Sequence, residues 1–138
     1  MQLTIQWADS MAFEVHPPSG NTFTMDATPE SGGRNLGPTP VEALIASAGA
    51  CMAMDVISIL KKKQQVVTGY RLEVEWDRGP EGEYPRPVTA IRIQHFVSGE
   101  NVSPAAVARA VELSDEKYCT VVSTLRTSPK VTSTWTID

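Results

Sequence analysis

Cysteine is scarce in this chain of 138 residues, which holds two, Cys51 and Cys119. Two thiols cannot build the dense disulfide framework of small secreted domains. In a reducing compartment such residues are reactive or inert rather than a structural staple. Clustered positive charge is also missing. The net charge is −4 and the single basic run is Lys61-Lys62-Lys63, so nucleic acid is not the expected partner. That run falls where a helix should end, and cations there offset the helix dipole. No segment reads as the roughly 20 apolar residues of a membrane span, so no membrane partner is expected. Met1-Gln2-Leu3-Thr4-Ile5 lacks the basic start and apolar stretch of a secretion signal, which makes a cytoplasmic location the expectation.

Several catalytic grammars are missing as well. No Gly-Lys-Ser/Thr sequence or dinucleotide spacing follows Gly20, Gly32, Gly33 or Gly37, which excludes a phosphate loop. No Gly-x-Ser-x-Gly elbow supports serine hydrolase chemistry. His16 and His95 fall on separate strands and form no ligand motif with the cysteines, so neither a zinc site nor another cofactor is expected.

What is present is an ordinary globular composition, 41% hydrophobic and 20% charged, at a length that suits one domain spanning residues 1–138. Leu3, Ile5 and Trp7 alternate with polar neighbours, and Met11, Phe13 and Val15 do the same. Asp9-Ser10 between them predicts a hairpin. A third short strand is expected around Thr22 to Asp26, followed by a loop over 27–38. Thr39, Pro40 and Glu42 then spell a capping box with proline at the first helical position. The run from Ala43 to Leu60 is nearly all apolar or small, which predicts a helix buried on all sides. Gly49 within it costs about 1 kcal/mol of helix stability relative to Ala, so a packing reason is expected.

Tyr70, Leu72, Val74 and Trp76 alternate with charged residues as an inside-outside strand. Residues 79–87 turn the chain, and Ile91, Ile93 and Val97 mark the next strand. Ser103-Pro104 opens a second helix running to about Cys119 or a turn beyond. Val131, Trp135 and Ile137 are read as a closing strand. The fold class is α+β, with antiparallel sheet and helices to one side. The long helix has more apolar faces than one sheet can cover, which points to a symmetric homodimer.

The two thiols lie far apart in sequence, and no spacing shows that they touch. Cys51 shares a helical face with Leu44, Ala48 and Asp55, where a small core hydrophobe and a reacting thiol are both open readings. Cys119 follows Glu116-Lys117-Tyr118 near a helix end; there an inert, half-exposed thiol stands beside a functional one. Thiol peroxidase chemistry needs a thiolate to attack the O–O bond and a second thiol to trap the sulfenic acid as a disulfide. Asp55 works against a thiolate at Cys51, and its expected role is to meet a polar partner across the dimer.

Gly37-Pro38-Thr39-Pro40-Val41-Glu42-Ala43-Leu44, leading through Ala48-Gly49-Ala50-Cys51 to Met54-Asp55-Val56, resembles the central helix of the OsmC/Ohr family. Val107-Ala108-Arg109-Ala110 with Leu113-Ser114 and Glu116-Lys117-Tyr118-Cys119 is similar to that family's second cysteine segment, most of all in its YhfA-like branch. The resemblance covers nearly the whole chain. It implies an intertwined homodimer with antiparallel sheets around a long buried central helix plus a second helix. It also implies Cys51 as the peroxidatic and Cys119 as the resolving residue of a thiol-dependent hydroperoxide reductase acting in oxidative-stress defence. The substrate would be a hydroperoxide, organic ones favoured by an apolar groove, and the reductant a dithiol, lipoyl groups included.

The chain departs from the family pattern in three places. The family's N-terminal arginine has no counterpart before Arg34, which becomes a substitute cation for the thiolate. The family's glutamate position is Val41, and Glu42 stands one place off, where a capping role suits it better. Thr120 replaces a proline after the second cysteine. These departures favour a second reading, a non-catalytic dimer that binds an apolar small molecule or senses redox state.

Overall fold

The computed structural model describes residues 1–137. The chain divides into two compact units, Met1–Ala46 and the described residues from Ser47 onward. In the first unit, β1 (Thr4–Asp9), β2 (Ala12–His16) and β3 (Phe23–Met25) form an antiparallel sheet in that order. The hairpin expected at Asp9-Ser10 is there: Trp7 pairs with Phe13, and Ser10 takes the left-handed conformation a tight turn needs, at φ 51°. Asp26, at the end of β3, is buried. Its carboxylate accepts the amide N–H groups of Ala27, Arg34 and Leu36 at 2.8, 3.0 and 3.1 Å. Burial pushes this carboxyl up, but the three amides and the Arg34 charge outweigh it and hold the group below its ordinary range. Gly33 completes that loop, since a Cβ there would meet the Ala27 carbonyl oxygen at 1.9 Å.

Helix α1 runs Pro40–Lys62 and starts as its cap predicts. The Thr39 N–H donates to Glu42 Oε2 at 2.8 Å and the Glu42 N–H to Thr39 Oγ1 at 3.3 Å. One expectation for this helix needs correction. By length and composition it is long and apolar enough to cross a membrane, a test that a buried core helix also passes. Within the single chain its cover is one-sided, in keeping with a helix that has more apolar faces than one sheet can cover. Ile45, Ala48, Met52, Val56 and Leu60 form one buried stripe, while Leu44 and Met54 are exposed. The stripe follows the helical period, so this chain covers one face only.

In the second unit β4 (Val66–Arg78) and β5 (Val88–Glu100) pair antiparallel, with Val74 opposite Ile93 and Leu72 opposite His95. Gly49 is needed where α1 meets this ribbon: a Cβ would stand 3.3 Å from Val74 Cγ2 and 3.9 Å from Leu72 Cδ2. Val56, Leu60 and Ala110 form one apolar cluster, flanked by Tyr70 and Val97. A second cluster joins Ala48, Met52, Cys119 and Val122, with Cys51 and Ile93 against it.

Helix α2 (Pro104–Leu113) begins at the expected cap, with Ser103 Oγ accepting the Ala106 N–H at 3.3 Å. It does not continue to Cys119. A wider π turn over Ser114–Tyr118 intervenes, the chain extends at Cys119, and α3 (Thr120–Leu125) follows. The closing strand is not found either: residues 128–137 have no regular structure, and Val131, Trp135 and Ile137 stand exposed. A strand needs a neighbour to pair with, and none lies beside this segment in the single chain.

Tyr70 and His95 form a polar pair in the second unit. The Tyr70 Oη lies 2.7 Å from His95 Nδ1, and the rings stack at 6.0 Å. Burial pushes the Tyr70 phenol up to about 12 and pushes His95 below its ordinary value. Both groups are therefore neutral at pH 7. The Tyr70 contribution to stability is present below its unfolded value and lost as pH rises through about 12. The His95 contribution is present above its unfolded value and lost as pH falls through its depressed folded one. A phenolate absorbance titration should show a step near pH 12 that Tyr70→Phe removes. A titration curve that keeps this step in the variant would refute the burial argument.

Candidate active site

Two elements bring the thiols together. Cys51 sits midway along α1, half-buried, and Asp55 follows one helical turn later on the same face. Cys119 arrives from the break after α2 and is buried. The Cys51 and Cys119 sulfurs and an Asp55 carboxylate oxygen all lie within 4.8 Å of one another, and both cysteines are free thiols.

The break at Cys119 has a local cause. The π turn passes the Cys119 N–H to the Ser114 carbonyl at 2.9 Å, and Cys119 then takes an extended backbone, φ −70° and ψ 102°. That is the geometry of a helix cap, and Cys119 Sγ accepts the Val122 N–H at 3.4 Å. Such π turns recur at functional sites because they displace one side chain out of helical register. Burial pushes the Cys119 thiol up; its contact with Cys51 adds to this, and the Val122 and Val121 amides oppose it. Cys119 is thus a thiol rather than a thiolate near pH 7.

Asp55 finds its polar partner within its own chain. The Ser114 hydroxyl donates to Asp55 Oδ2 at 2.9 Å and lies 3.4 Å from the Met52 carbonyl. This corrects the expectation of a partner across a dimer. Ser114 itself escaped the sequence reading. It is fully buried, and the available signal was a polar residue one step past α2 that continues the inward stripe Val107, Ala110, Val111.

The two auxiliary residues are engaged elsewhere. The Arg34 guanidinium pairs with Asp9 at 2.9 Å, both side chains being more than half exposed. The Glu42 carboxylate is spent on the α1 cap. The histidines considered as partners of the cysteines, His16 and His95, are not among the grouped donors; Asp55 is the third donor beside the two sulfurs.

Comparison with known proteins decides the family. Residues 32–134 match the family described as OsmC-like protein. The chain belongs to the OsmC family. It is 36% identical over 137 residues to Protein YhfA of Escherichia coli K12, covering 99% of this chain and 98% of that protein. Among solved structures, a hypothetical protein from Aquifex aeolicus is 29% identical with a TM-score of 0.76, over 91% of this chain and 86% of that one. A Legionella pneumophila organic hydroperoxide resistance protein OsmC shares the fold, with a TM-score of 0.65 at 12% identity over 91% and 90% of the two chains. This chain is thus an α+β OsmC family member with antiparallel sheets and three α-helices among its described residues.

Proposed function

We propose that this OsmC family chain is a thiol-dependent hydroperoxide reductase, cytoplasmic and acting in defence against peroxide stress. One observation carries the reading: two cysteines remote in sequence stand as free thiols within 4.8 Å. The Cys51 thiolate attacks the peroxide, breaking the O–O bond; the alcohol leaves with a proton and Cys51 becomes a sulfenic acid. The Cys119 sulfur then displaces hydroxide from Cys51, forming the disulfide and releasing water. An external dithiol, of the lipoyl type for instance, reduces the disulfide and is itself oxidised. Cys51 fits the attacking role because it is the less buried of the two. The apolar cluster of Met52, Ile93 and Val122 packed about the thiols makes organic hydroperoxides the expected substrates over hydrogen peroxide. The test is peroxide consumption by purified protein with a dithiol, compared between an alkyl hydroperoxide and hydrogen peroxide. Dithiol-dependent turnover faster on the alkyl substrate supports the reading, and inert reduced protein rejects it.

The second reading, a non-catalytic dimer that binds an apolar molecule or senses redox state, is favoured by the engagement of Arg34 with Asp9 and of Glu42 with Thr39. Neither residue is then free to activate a thiolate.

Either reading includes a homodimer. Ile5 and Trp7 on β1, and Val131, Trp135 and Ile137 near the C-terminus, are large apolar side chains left exposed, which supports their burial against a second copy. Sedimentation is expected to give a single species of twice the 15.0 kDa chain mass. Trp135→Asp should shift it towards monomer, and a monomeric wild type would refute the assembly.

A further inference from the structure

The three donors at the site meet the requirements of a thiophilic cation as well as those of a disulfide. We propose that the reduced chain binds one divalent zinc-class ion through Cys51, Asp55 and Cys119, with the fourth position open to water or solute.

The arrangement has three parts. Cys51 and Asp55 stand four residues apart on α1, the spacing that places two ligands on one helical face. Cys119 comes from a different element, so the set is closed by tertiary structure and does not form in the unfolded chain. Zinc takes thiolate and carboxylate oxygen at about 2.3 and 2.0–2.2 Å, so tetrahedral donors sit roughly 3.3–3.8 Å apart. The present atoms lie within 4.8 Å of one another, leaving about 1 Å for side-chain rotation to close.

The supports of these donors argue for a built site. Ser114, fully buried, holds Asp55 Oδ2 by a hydrogen bond of 2.9 Å and so fixes the carboxylate whose oxygen stands among the two sulfurs. An outer partner of this kind orients a metal-binding carboxylate. The Val122 N–H at 3.4 Å from Cys119 Sγ stabilises a thiolate there. Two thiolates and a carboxylate carry three negative charges, which a divalent cation offsets and magnesium, a poor partner for sulfur, does not match. Binding releases the two thiol protons, so affinity rises with pH.

The site rests on geometry alone, while its consequence rests on the hydroperoxide reductase reading. A zinc ion on both sulfurs prevents Cys51 from attacking peroxide and keeps the pair reduced. Peroxide oxidises only the metal-free fraction, and the disulfide so formed has lost both thiolate ligands. The cation is therefore a reversible inhibitor that competes with oxidation for the free thiols.

The test uses the reduced full-length protein and two probes, zinc with a chromophoric chelator as competitor, and cobalt. Expected are one zinc per chain, a thiolate-to-cobalt charge-transfer band and the visible bands of tetrahedral cobalt. Cys119→Ser should roughly halve the charge-transfer intensity. Asp55→Asn should keep that band but weaken zinc at least about tenfold. Protein alkylated at both thiols should bind none. Stoichiometry well below one, or Asp55→Asn binding zinc as tightly as wild type, would overturn the proposal. Peroxide turnover is measured separately without metal. Inert protein that still binds zinc leaves the site standing and removes only its inhibitory role, whereas active protein without zinc binding rejects the site and keeps the enzyme.

Discussion

Replacing Cys51 with serine is expected to abolish dithiol-dependent peroxide turnover, by at least roughly a thousandfold. A hydroxyl cannot attack the O–O bond as a thiolate does, because its proton is bound far too tightly at neutral pH. No neighbour can substitute, since Cys119 is buried and held as a thiol. The fold should survive. Serine differs from cysteine by one atom, Cys51 is half-buried, and the stripe of Ala48, Met52, Val56 and Leu60 is untouched. A melting temperature near that of wild type together with lost turnover isolates the chemistry from stability. Equal turnover in both proteins would mean that Cys51 is not the reacting group.

Replacing Cys119 with serine separates the two halves of the cycle. The first peroxide equivalent should still be consumed, because Cys51 remains. Without a resolving thiol the sulfenic acid stays exposed and gains further oxygen, which is irreversible for most such cysteines. Activity should therefore die within a few turnovers, and the mass of the dead protein should show two or three added oxygens. Stability should hold or rise slightly, since serine is a better helix cap than cysteine and its oxygen can take the Val122 N–H that Cys119 Sγ now accepts. Sustained turnover at the wild-type rate, with no over-oxidised species, would show that Cys119 takes no part.

The legible and illegible parts of the sequence divide along a physical line. Local chemistry was readable: Thr39 with Glu42 and Ser103 with Ala106 make the caps their residue types dictate, and Ser10 turns the hairpin expected of it. Gly49 has the close neighbour in Val74 that its cost implied. What required long-range contact was not readable. The cap at Cys119 depends on a π turn whose register no apolar period encodes, so the second helix was drawn too long. Asp55 found its partner in Ser114, at the start of the π turn far along the chain. The one-sided cover of α1 within the single chain was, by contrast, readable, because the apolar faces of this helix outnumber what one sheet can bury. The Val131 to Ile137 pattern alternates as a strand does, yet alternation does not supply a strand to pair with. At the site, the cysteines stood out by scarcity and by resemblance to a family. Their approach to within 4.8 Å came only from tertiary structure.

The most direct test treats fully reduced protein with one equivalent of an alkyl hydroperoxide, then counts free thiols and maps the cross-link by peptide mass. Both thiols of each chain should disappear together, giving a Cys51–Cys119 peptide pair within one chain that a dithiol restores. Two thiols left intact, or a linkage formed only between chains, would mean that these sulfurs do not act as a redox couple.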